Sequence, residues 1–340
     1  MKPVSTRRPA AYALQFTAFL LVFLLLFSCV STIFRDKRYA RPLCLYAEPR
    51  NSVDVLFMGS SHMLNAVSPM QLWAEQGIVS LNYAQNGQVL PVSYYSLQEA
   101  LRYQKPKLVV LDIYKVIQDS LIDSNVSFHF TMDHMTFGLP KIKAAFDLVD
   151  HGERLEYLAD LVLYHSRWSE LTEEDFRTPV FVEKGAETLF HTQDHTGFEV
   201  FPADAKSPPA PVALDYLKRI VDLCREERIE LLLVAVPFTT REGDTLNRQQ
   251  VVNAMADYAE EWNVPYLNMM HELDALNFSF TTDIADEHVN WLGMGKTTSF
   301  LGEYIMDHYD IPDHREDSAY ASWHDAYKDY DAYMKSHIPA

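Results

Sequence analysis

The sequence predicts an α/β fold, a doubly wound, five-stranded parallel sheet that is interrupted by a mainly helical insertion and preceded by one transmembrane helix. Short, nearly continuous apolar runs alternate with amphipathic runs, as in strands separated by helices. This alternation stops at about 117 and resumes at about 211, and an uncharged apolar run lies near the N-terminus. With 340 residues, of which 48% are hydrophobic and 22% charged, the chain can bury a sizeable core, which excludes a disordered protein.

The N-terminal apolar run, from Ala10 to Phe34, contains 25 residues and no charged side chain. As a helix it would be about 37 Å long, enough to span a bilayer with some tilt. A secretory signal peptide has a shorter apolar stretch and a small-x-small cleavage site, so we predict an uncleaved membrane anchor over 1–38. Lipidation is the alternative, because Leu26-Phe27-Ser28-Cys29 resembles a lipoprotein cleavage box, although Phe27 is large where that box prefers a small or branched residue.

Charge divides the chain into a basic end and an acidic body. Six basic residues and one acidic residue give 1–38 a net charge of +5, so with a total of −18 the remaining residues carry −23. An acidic body excludes nucleic acid as a partner. Both flanks of the apolar run are basic, so the positive-inside rule does not choose an orientation. A large body on one N-terminal anchor is typical of extracytoplasmic proteins, and we predict that location.

Local signals place the elements of the body. Val53–Met58 is apolar on both faces and ends at Gly59, as expected of a central parallel strand. Ser68 is a suitable N-cap, with Pro69 at the first position of a helix that runs to Gly77. The further predicted elements are a strand over 78–83, a helix over 92–103, a strand over 108–113, and, after the insertion, a helix over 213–228, a strand over 229–236, a helix over 247–262 and a strand over 265–268.

Two regions depart from this alternation. The insertion, about 117–211, contains helical stretches at 139–149 and 154–164, and we expect it at the carboxyl edge of the sheet, where open α/β folds bind ligands. An acidic tail over 310–340 follows the main domain, which covers 50–309. The tail carries an aromatic stripe that predicts one helix packed on its own domain, with docking to a membrane partner as the alternative; the stripe consists of Tyr320, Trp323, Tyr327, Tyr330 and Met334.

Two polar motifs stand where the ends of strands would meet. Gly59-Ser60-Ser61-His62 follows the first strand, at a turn from which a serine could project beyond the sheet with backbone N–H groups nearby for an oxyanion. Asp286-Glu287-His288 precedes the last helix and offers a base with a carboxylate that could orient it. Either motif alone is more often structural. Together at one edge of a parallel sheet, they indicate a nucleophilic serine and its base.

With these motifs the sequence resembles the SGNH, or GDSL-like, hydrolase superfamily. The resemblance rests on Gly59-Ser60-Ser61, on Asn82-Tyr83-Ala84-Gln85-Asn86-Gly87, and on Asp286-Glu287-His288 with Asn290 and Gly293, and it spans Val53 to about Tyr309 apart from the insertion. It implies a flavodoxin-like three-layer fold and a serine esterase or O-acyltransferase. Ser61 would be the nucleophile, His288 its base, and the N–H groups of Ser61 and Gly87 the oxyanion donors.

This sequence departs from the superfamily pattern in two places. The usual Asp-x-x-His would need an aspartate where Ala285 stands, which leaves Asp286 or Asp283. Asp-x-His also occurs among alginate-type acetyltransferases, so we favour Asp286 as the orienter and keep Asp283 as the alternative. The usual Gly-x-Asn-Asp block is replaced by Leu111-Asp112-Ile113-Tyr114, so we expect Asn86 or a backbone N–H to replace the missing oxyanion donor.

The resemblance also implies partners. The anchored form with Gly-Ser-Ser is similar to extracytoplasmic proteins that work beside polytopic membrane-bound O-acyltransferases in acylating teichoic acid, alginate or other polysaccharides. We therefore expect a cell-envelope polysaccharide or another O-acylated polymer as substrate, with a non-catalytic polymer-binding scaffold as the alternative. The residues expected to contact this substrate are His62, Arg167, Trp168 and Asn290. The alternatives are a structural role in the turn for His62 and packing within the insertion for Arg167 and Trp168.

No cofactor and no metal are expected. Gly293-Met294-Gly295-Lys296-Thr297-Thr298 looks like the end of a phosphate-binding loop, but no strand precedes it and its first glycine would fall at Asn290. The histidines offer no convincing metal-ligand set. Cys44 and Cys224 could pair, although two isolated cysteines more often remain small buried residues.

Overall fold

A five-stranded parallel sheet organises the computed structural model, which describes residues 7–37, 39–194, 200–239 and 248–339. The strand order is β2-β1-β3-β4-β5, the order of flavodoxin-like doubly wound sheets, and it confirms the predicted parallel sheet. The register pairs Val55 of the first strand with Ser80 on one side and Leu108 on the other. The strands are β1 Val55–Met58, β2 Ser80–Asn82, β3 Leu108–Asp112, β4 Glu230–Ala235 and β5 Tyr266–Asn268.

Helices cover both faces of this sheet. In chain order the described helices are α1 Arg7–Phe34, α2 Cys44–Ala47, α3 Ser61–Ala66, α4 Pro69–Gln76, α5 Leu90–Ala100, α6 Asn125–Met132, α7 Leu139–Leu148, α8 Arg154–Leu158, α9 Asp160–Tyr164, α10 Pro211–Glu227, α11 Arg248–Glu261, α12 Trp291–His308 and α13 Ala321–His337. Between β5 and α12 lies a short antiparallel pair, β6 Ile284–Ala285 and β7 His288–Val289.

Alternate residues of the strands belong to two separate apolar layers. Leu56 and Met58 of β1 pack with α5, α10 and α11, whereas Val55 and Phe57 pack with α3, α4 and α12. Successive side chains of a strand point to opposite faces, so a strand buried on both sides must be apolar throughout. This is why the central strands lack the alternation of polar and apolar residues that a half-exposed sheet would show.

The helices agree with the prediction in position and differ in detail. Helix α4 has Ser68 as N-cap and Pro69 as first residue, as predicted, and left-handed Gly77 as C-cap. Helix α3 was not predicted, and the expected helix over 154–164 is divided into α8 and α9, which meet at Ala159. The helix predicted from 247 begins at Arg248, and Asn247 lies outside the described residues.

The C-terminal tail docks on its own domain. Helix α13 packs on α4, with the rings of Trp73 and Trp323 5.5 Å apart, and the Ser68 hydroxyl donates to the Tyr330 hydroxyl at 2.9 Å. Burial of the two tryptophans and Tyr330 explains the aromatic stripe. Cys44 and Cys224 are both buried and free.

The N-terminal helix is the one described helix that is long and apolar enough to cross a membrane, over the 24 residues Ala11–Phe34. Most of its side chains are exposed, but Ser31, near its C-terminal end, is buried. The end of α1 packs on α9 and on the 3-10 turns that follow it in the insertion. The insertion therefore lies beside the point at which the chain leaves α1.

Candidate active site

The turn after β1 places Ser61 at the carboxyl edge of the sheet. Gly59 has φ +143°, and a Cβ at this position would lie 2.9 Å from the Cβ of Asp112, so only glycine fits there. The Ser60 hydroxyl accepts from the His62 amide at 3.4 Å and caps α3. Ser61 is then the first residue of α3, where a backbone N–H has no partner within the helix.

Ser61 and His288, 227 positions apart in the chain, meet at this edge. The Ser61 Oγ and the His288 Nε2 are 2.7 Å apart, within hydrogen-bond distance. His288 begins β7, whose pairing with Ala285 of β6 forms a two-residue turn at Asp286 and Glu287. Both Ser61 and His288 are half-buried, so solvent or a substrate can still reach them.

The environment of His288 favours the neutral imidazole. Burial lowers its pKa from 6.5 to about 4, while the charge of Asp286 raises it and that of Lys115 lowers it further. At neutral pH the ring is therefore uncharged and one of its nitrogens is free of a proton. In that state His288 can accept the proton of the Ser61 hydroxyl.

The two candidate carboxylates occupy different surroundings. The Asp286 side chain is 66% exposed, and its carboxylate lies 3.3 Å from the His191 Nε2. Asp283 is fully buried and binds Lys296 at 2.7 Å while accepting from the Ser279 amide at 2.8 Å. Within the described residues neither carboxylate forms a hydrogen bond with His288, and Asp286 acts on it through charge. Asp283 instead joins the loop before β6 to α12.

The predicted oxyanion residues lie in a turn that is tied to the nucleophile's strand. The Gln85 amide donates to the Gly59 carbonyl at 3.2 Å, which brings the turn containing Asn86 and Gly87 beside the end of β1. Gly87 has φ +67°, and a Cβ there would lie 2.7 Å from that of Ser127, so glycine is required. Asn86 is half-buried in the same turn.

Of the four residues expected to contact substrate, His62 alone lies beside the pair. Its ring is 3% exposed and is packed 4.5 Å from the His288 ring and 3.4 Å from the Tyr114 ring, measured between centroids. Burial lowers the pKa of His62 well below its usual value, and the neighbouring His288, Arg248 and Lys115 act in the same direction. His62 is therefore an uncharged residue that lines the site beside His288.

Asn290 corrects one prediction. Its side chain is fully buried and caps α12, accepting from the Leu292 and Gly293 amides at 2.9 and 3.2 Å. Its amide nitrogen donates to Thr192 at 3.0 Å and to the Thr282 carbonyl at 2.8 Å. With both ends of the amide occupied inside the protein, Asn290 is not available to a substrate.

Arg167 and Trp168 lie where α1 meets the insertion, and their contact with substrate stays a prediction. The Arg167 guanidinium donates to the Phe34 carbonyl at 2.5 Å and pairs with Asp175 at 3.1 Å. Both partners belong to the junction between α1 and the insertion, and among the described residues Arg167 has no contact with Ser61 or His288. Trp168, next to it, is 71% exposed.

Four residues near the pair were not predicted. Tyr114 and Lys115 follow β3, Phe238 follows β4, and Arg248 begins α11. The Phe238 ring packs edge-on to Tyr114, and the Arg248 guanidinium lies 4.1 Å from the centre of the Tyr114 ring. The position of Tyr114 and Phe238 directly after parallel strands was a signal that the sequence did contain.

A segment in the second half of the insertion joins α3, which carries Ser61, to the β6–β7 pair, which carries His288. We call Glu183–Gln193 the exit segment. The Glu187 amide donates to the Leu64 carbonyl of α3 at 3.1 Å. The Gln193 amide donates to the Ile284 carbonyl of β6 at 2.9 Å, and the Trp291 amide donates to the carbonyl of Leu189 at 3.0 Å. One continuous stretch thus contacts α3, which carries Ser61, and β6, which pairs with the strand that carries His288.

Comparisons with known proteins concern the fold alone. No family model matches this chain, and no curated protein sequence matches it. Among solved structures it is similar to a candidate acylhydrolase from Bacteroides fragilis, at 12% identity and a TM-score of 0.40, over 81% of this chain and 97% of that one. It is also similar to a gut microbial diltiazem-metabolizing enzyme, at 7% identity and a TM-score of 0.33, over 68% of this chain and 39% of that one.

Proposed function

We propose that this chain is a membrane-anchored serine esterase or O-acyltransferase of the SGNH type. The observation that carries the proposal is the 2.7 Å approach of the Ser61 Oγ to the His288 Nε2 at the carboxyl edge of the sheet. A half-buried serine paired with a neutral imidazole is the arrangement that covalent acyl transfer requires.

The proposed reaction proceeds through an acyl-serine. His288 takes the Ser61 proton as the oxygen attacks an ester carbonyl, which forms a tetrahedral oxyanion. Backbone N–H groups of Ser61 and Gly87, with Asn86, would stabilise this charge. His288 then returns the proton to the departing alcohol. Water or a sugar hydroxyl, activated by the same imidazole, finally removes the acyl group from Ser61.

The proposed substrate is an O-acyl group of a cell-envelope polysaccharide. The apolar helix α1 supports a membrane-anchored protein, and we place the body outside the cytoplasm, beside a polytopic membrane O-acyltransferase. The acidic body, with its charge of −23 outside 1–38, disfavours a purely electrostatic grip on an anionic polymer such as teichoic acid. A neutral polysaccharide is therefore preferred.

Hydrolysis of p-nitrophenyl acetate by the full-length protein in detergent tests the proposed nucleophile. Ser61→Ala should reduce kcat/KM by about 10⁴-fold or more, because removal of a catalytic serine abolishes the covalent route. Ser60→Ala is the matched control, since this neighbouring serine caps α3 without contacting His288, and it should retain activity. Equal activity in wild type and Ser61→Ala would contradict the proposal.

Addition of an acceptor separates the two activities. A neutral oligosaccharide that lowers acetate release and becomes acetylated would identify a transferase. Acetate release that the oligosaccharide leaves unchanged would identify an esterase.

One contact favours a second function, a non-catalytic polymer-binding scaffold. The Asp286 carboxylate lies 3.3 Å from His191, so its nearest described partner is another imidazole and not His288. A scaffold would bind an acetylated oligosaccharide while releasing no acetate from it. Retained binding in Ser61→Ala, together with an inactive wild type, would favour this reading.

A further inference from the structure

The insertion carries exposed apolar side chains around the end of α1. We call Val126, Val162, Trp168 and Phe176 the juxtamembrane patch. We propose that this patch lies in the boundary between headgroups and acyl chains of the bilayer, so that the insertion forms a second membrane contact beside α1. The proposal rests on the proposed anchoring through α1 and not on the proposed chemistry.

Exposed apolar side chains are concentrated in the insertion. Among the described residues outside α1, eleven of the fourteen large apolar side chains that are exposed fall between 117 and 211. Trp168 and Phe176 are 71% and 65% exposed. Scattered exposed apolar residues need no explanation, but a concentration on one region indicates an interaction surface.

Direct hydrogen bonds fix this region to the end of α1. Arg167 donates to the Phe34 carbonyl and pairs with Asp175, and the Lys37 ammonium donates to the carbonyls of Asp175 and Arg177. Trp168 follows Arg167 in the chain, and Phe176 follows Asp175. Both residues are therefore held in the chain beside groups that bind the end of α1 and the residues after it.

Two further members of the patch lie on elements that contact the same segment. Val162 belongs to α9, which packs on α1. Val126 lines a cavity together with Tyr39 and Phe130, whose rings stack with centroids 3.7 Å apart. The patch thus surrounds the point at which the chain emerges from α1.

The length of α1 places this point at the membrane surface. The 24 apolar residues Ala11–Phe34 would extend about 36 Å, slightly more than the hydrocarbon thickness of about 30 Å. Phe34 then lies at the interface, and Trp168 follows Arg167, whose guanidinium donates to the Phe34 carbonyl. The interface is the depth at which tryptophan is enriched in membrane proteins.

Site-directed spin labels on the full-length protein test this placement. The protein is reconstituted into nanodiscs of phosphatidylethanolamine and phosphatidylglycerol, in a Cys29→Ser background that leaves the two buried cysteines. Single labels are placed at Trp168→Cys and Phe176→Cys. Collision with dissolved oxygen should exceed collision with an aqueous nickel chelate at both sites, because oxygen partitions into the bilayer and the chelate does not.

Three controls determine the interpretation. Val22→Cys, in the middle of α1, should report the bilayer interior, and Leu292→Cys and Met306→Cys on α12 should report water. Aqueous labels at the patch with a membrane-embedded Val22 label would overturn the proposal while leaving the anchor intact, and would favour a protein partner for the patch. A water-exposed label at Val22 would show that α1 does not lie in the bilayer, and would overturn both the anchoring and the membrane contact of the patch. Membrane signals at Leu292 and Met306 equal to those at the patch would also overturn the proposal, since they would show no preferred face.

Discussion

The pairing of Ser61 with His288 depends on the charge of one imidazole. Burial lowers the pKa of His288 to about 4, so the ring is a base throughout the physiological range. Asp286 and Lys115 have opposite effects on this pKa, the first raising it and the second lowering it. The pH at which activity falls on the acid side should therefore shift when either Asp286 or Lys115 is replaced.

We expect kcat/KM for p-nitrophenyl acetate to remain on its plateau below pH 6.5 and to fall only near pH 4, where His288 becomes protonated. Asp286→Asn should move this limb to lower pH, because it removes a negative charge that favours the imidazolium. Lys115→Met should move it to higher pH. Circular dichroism at each pH separates titration from unfolding. A limb near pH 6.5, or shifts of the same sign in both variants, would contradict this assignment.

At the residue scale the sequence predicted which polar groups meet and missed what surrounds them. Ser61 and His288 could be predicted because each stands where a strand ends or the last helix begins. Phe238 was missed although its position after β4 was a signal, whereas Arg248 could not be associated with the pair, since its contact with Tyr114 forms only when separate loops pack. Asn290 was misassigned because the same amide suits a substrate contact and a helix cap.

The exit segment joins the elements on the two sides of the site. It contacts α3 through Glu187 and β6 through Gln193. Gly185 lies within it with φ +97°, and a Cβ there would lie 2.0 Å from the Asn82 carbonyl. The Asn82 side chain in turn donates to the carbonyls of Met63 and Val67 at 2.9 and 3.0 Å, which ties β2 to the middle and the C-terminal end of the nucleophile's helix.

Gly185→Ala should therefore lower the free energy of unfolding by about 2 kcal/mol or more, because it adds backbone strain and a clash with a carbonyl. It should also lower kcat of the folded fraction by displacing α3. Gly152→Ala is the matched control, since nothing lies within 4 Å of a Cβ at that position. Chemical denaturation and the ester assay measure the two effects. A variant as stable and active as Gly152→Ala would show that the exit segment has no such role.

At the element scale, strong local signals gave accurate bounds and short elements were missed. The Ser68 cap and Pro69 predicted the start of α4 to the residue, and Gly77 predicted its end to within one residue. Helix α3 has six residues and is too short to show a helical period. The first helix predicted after β1 was therefore α4, which Ser68 caps. The break between α8 and α9 at Ala159 carries no glycine or proline and had no signal in the sequence.

The whole molecule joins an apolar helix to an acidic α/β body. The full-length protein should stay with membranes after carbonate extraction, and protease added outside intact cells should digest its body. Leu21→Arg with Leu24→Arg should release it, because each charge at the bilayer centre costs roughly 3 kcal/mol. Leu21→Ile with Leu24→Ile is the control and should remain embedded. Extraction of the wild-type protein by carbonate would contradict anchoring.

The architecture was predictable from the sequence because apolar strands that alternate with helices have few arrangements. A right-handed crossover between parallel strands leaves little choice once five strands are recognised. The position of the insertion followed from the interruption between β3 and α10. Its attachment to α1 through the hydrogen bond from Arg167 to the Phe34 carbonyl did not, because nothing in the sequence links residues so far apart.

The central claim is that Ser61 is a nucleophile activated by His288. Its most direct test is a fluorophosphonate reaction with the full-length protein, followed by mass spectrometry to locate the adduct. The predicted result is one adduct, on Ser61, that forms rapidly in wild type and Ser60→Ala, slowly in His288→Ala and not at all in Ser61→Ala. An adduct on another serine, or a folded protein that forms none, would contradict the claim.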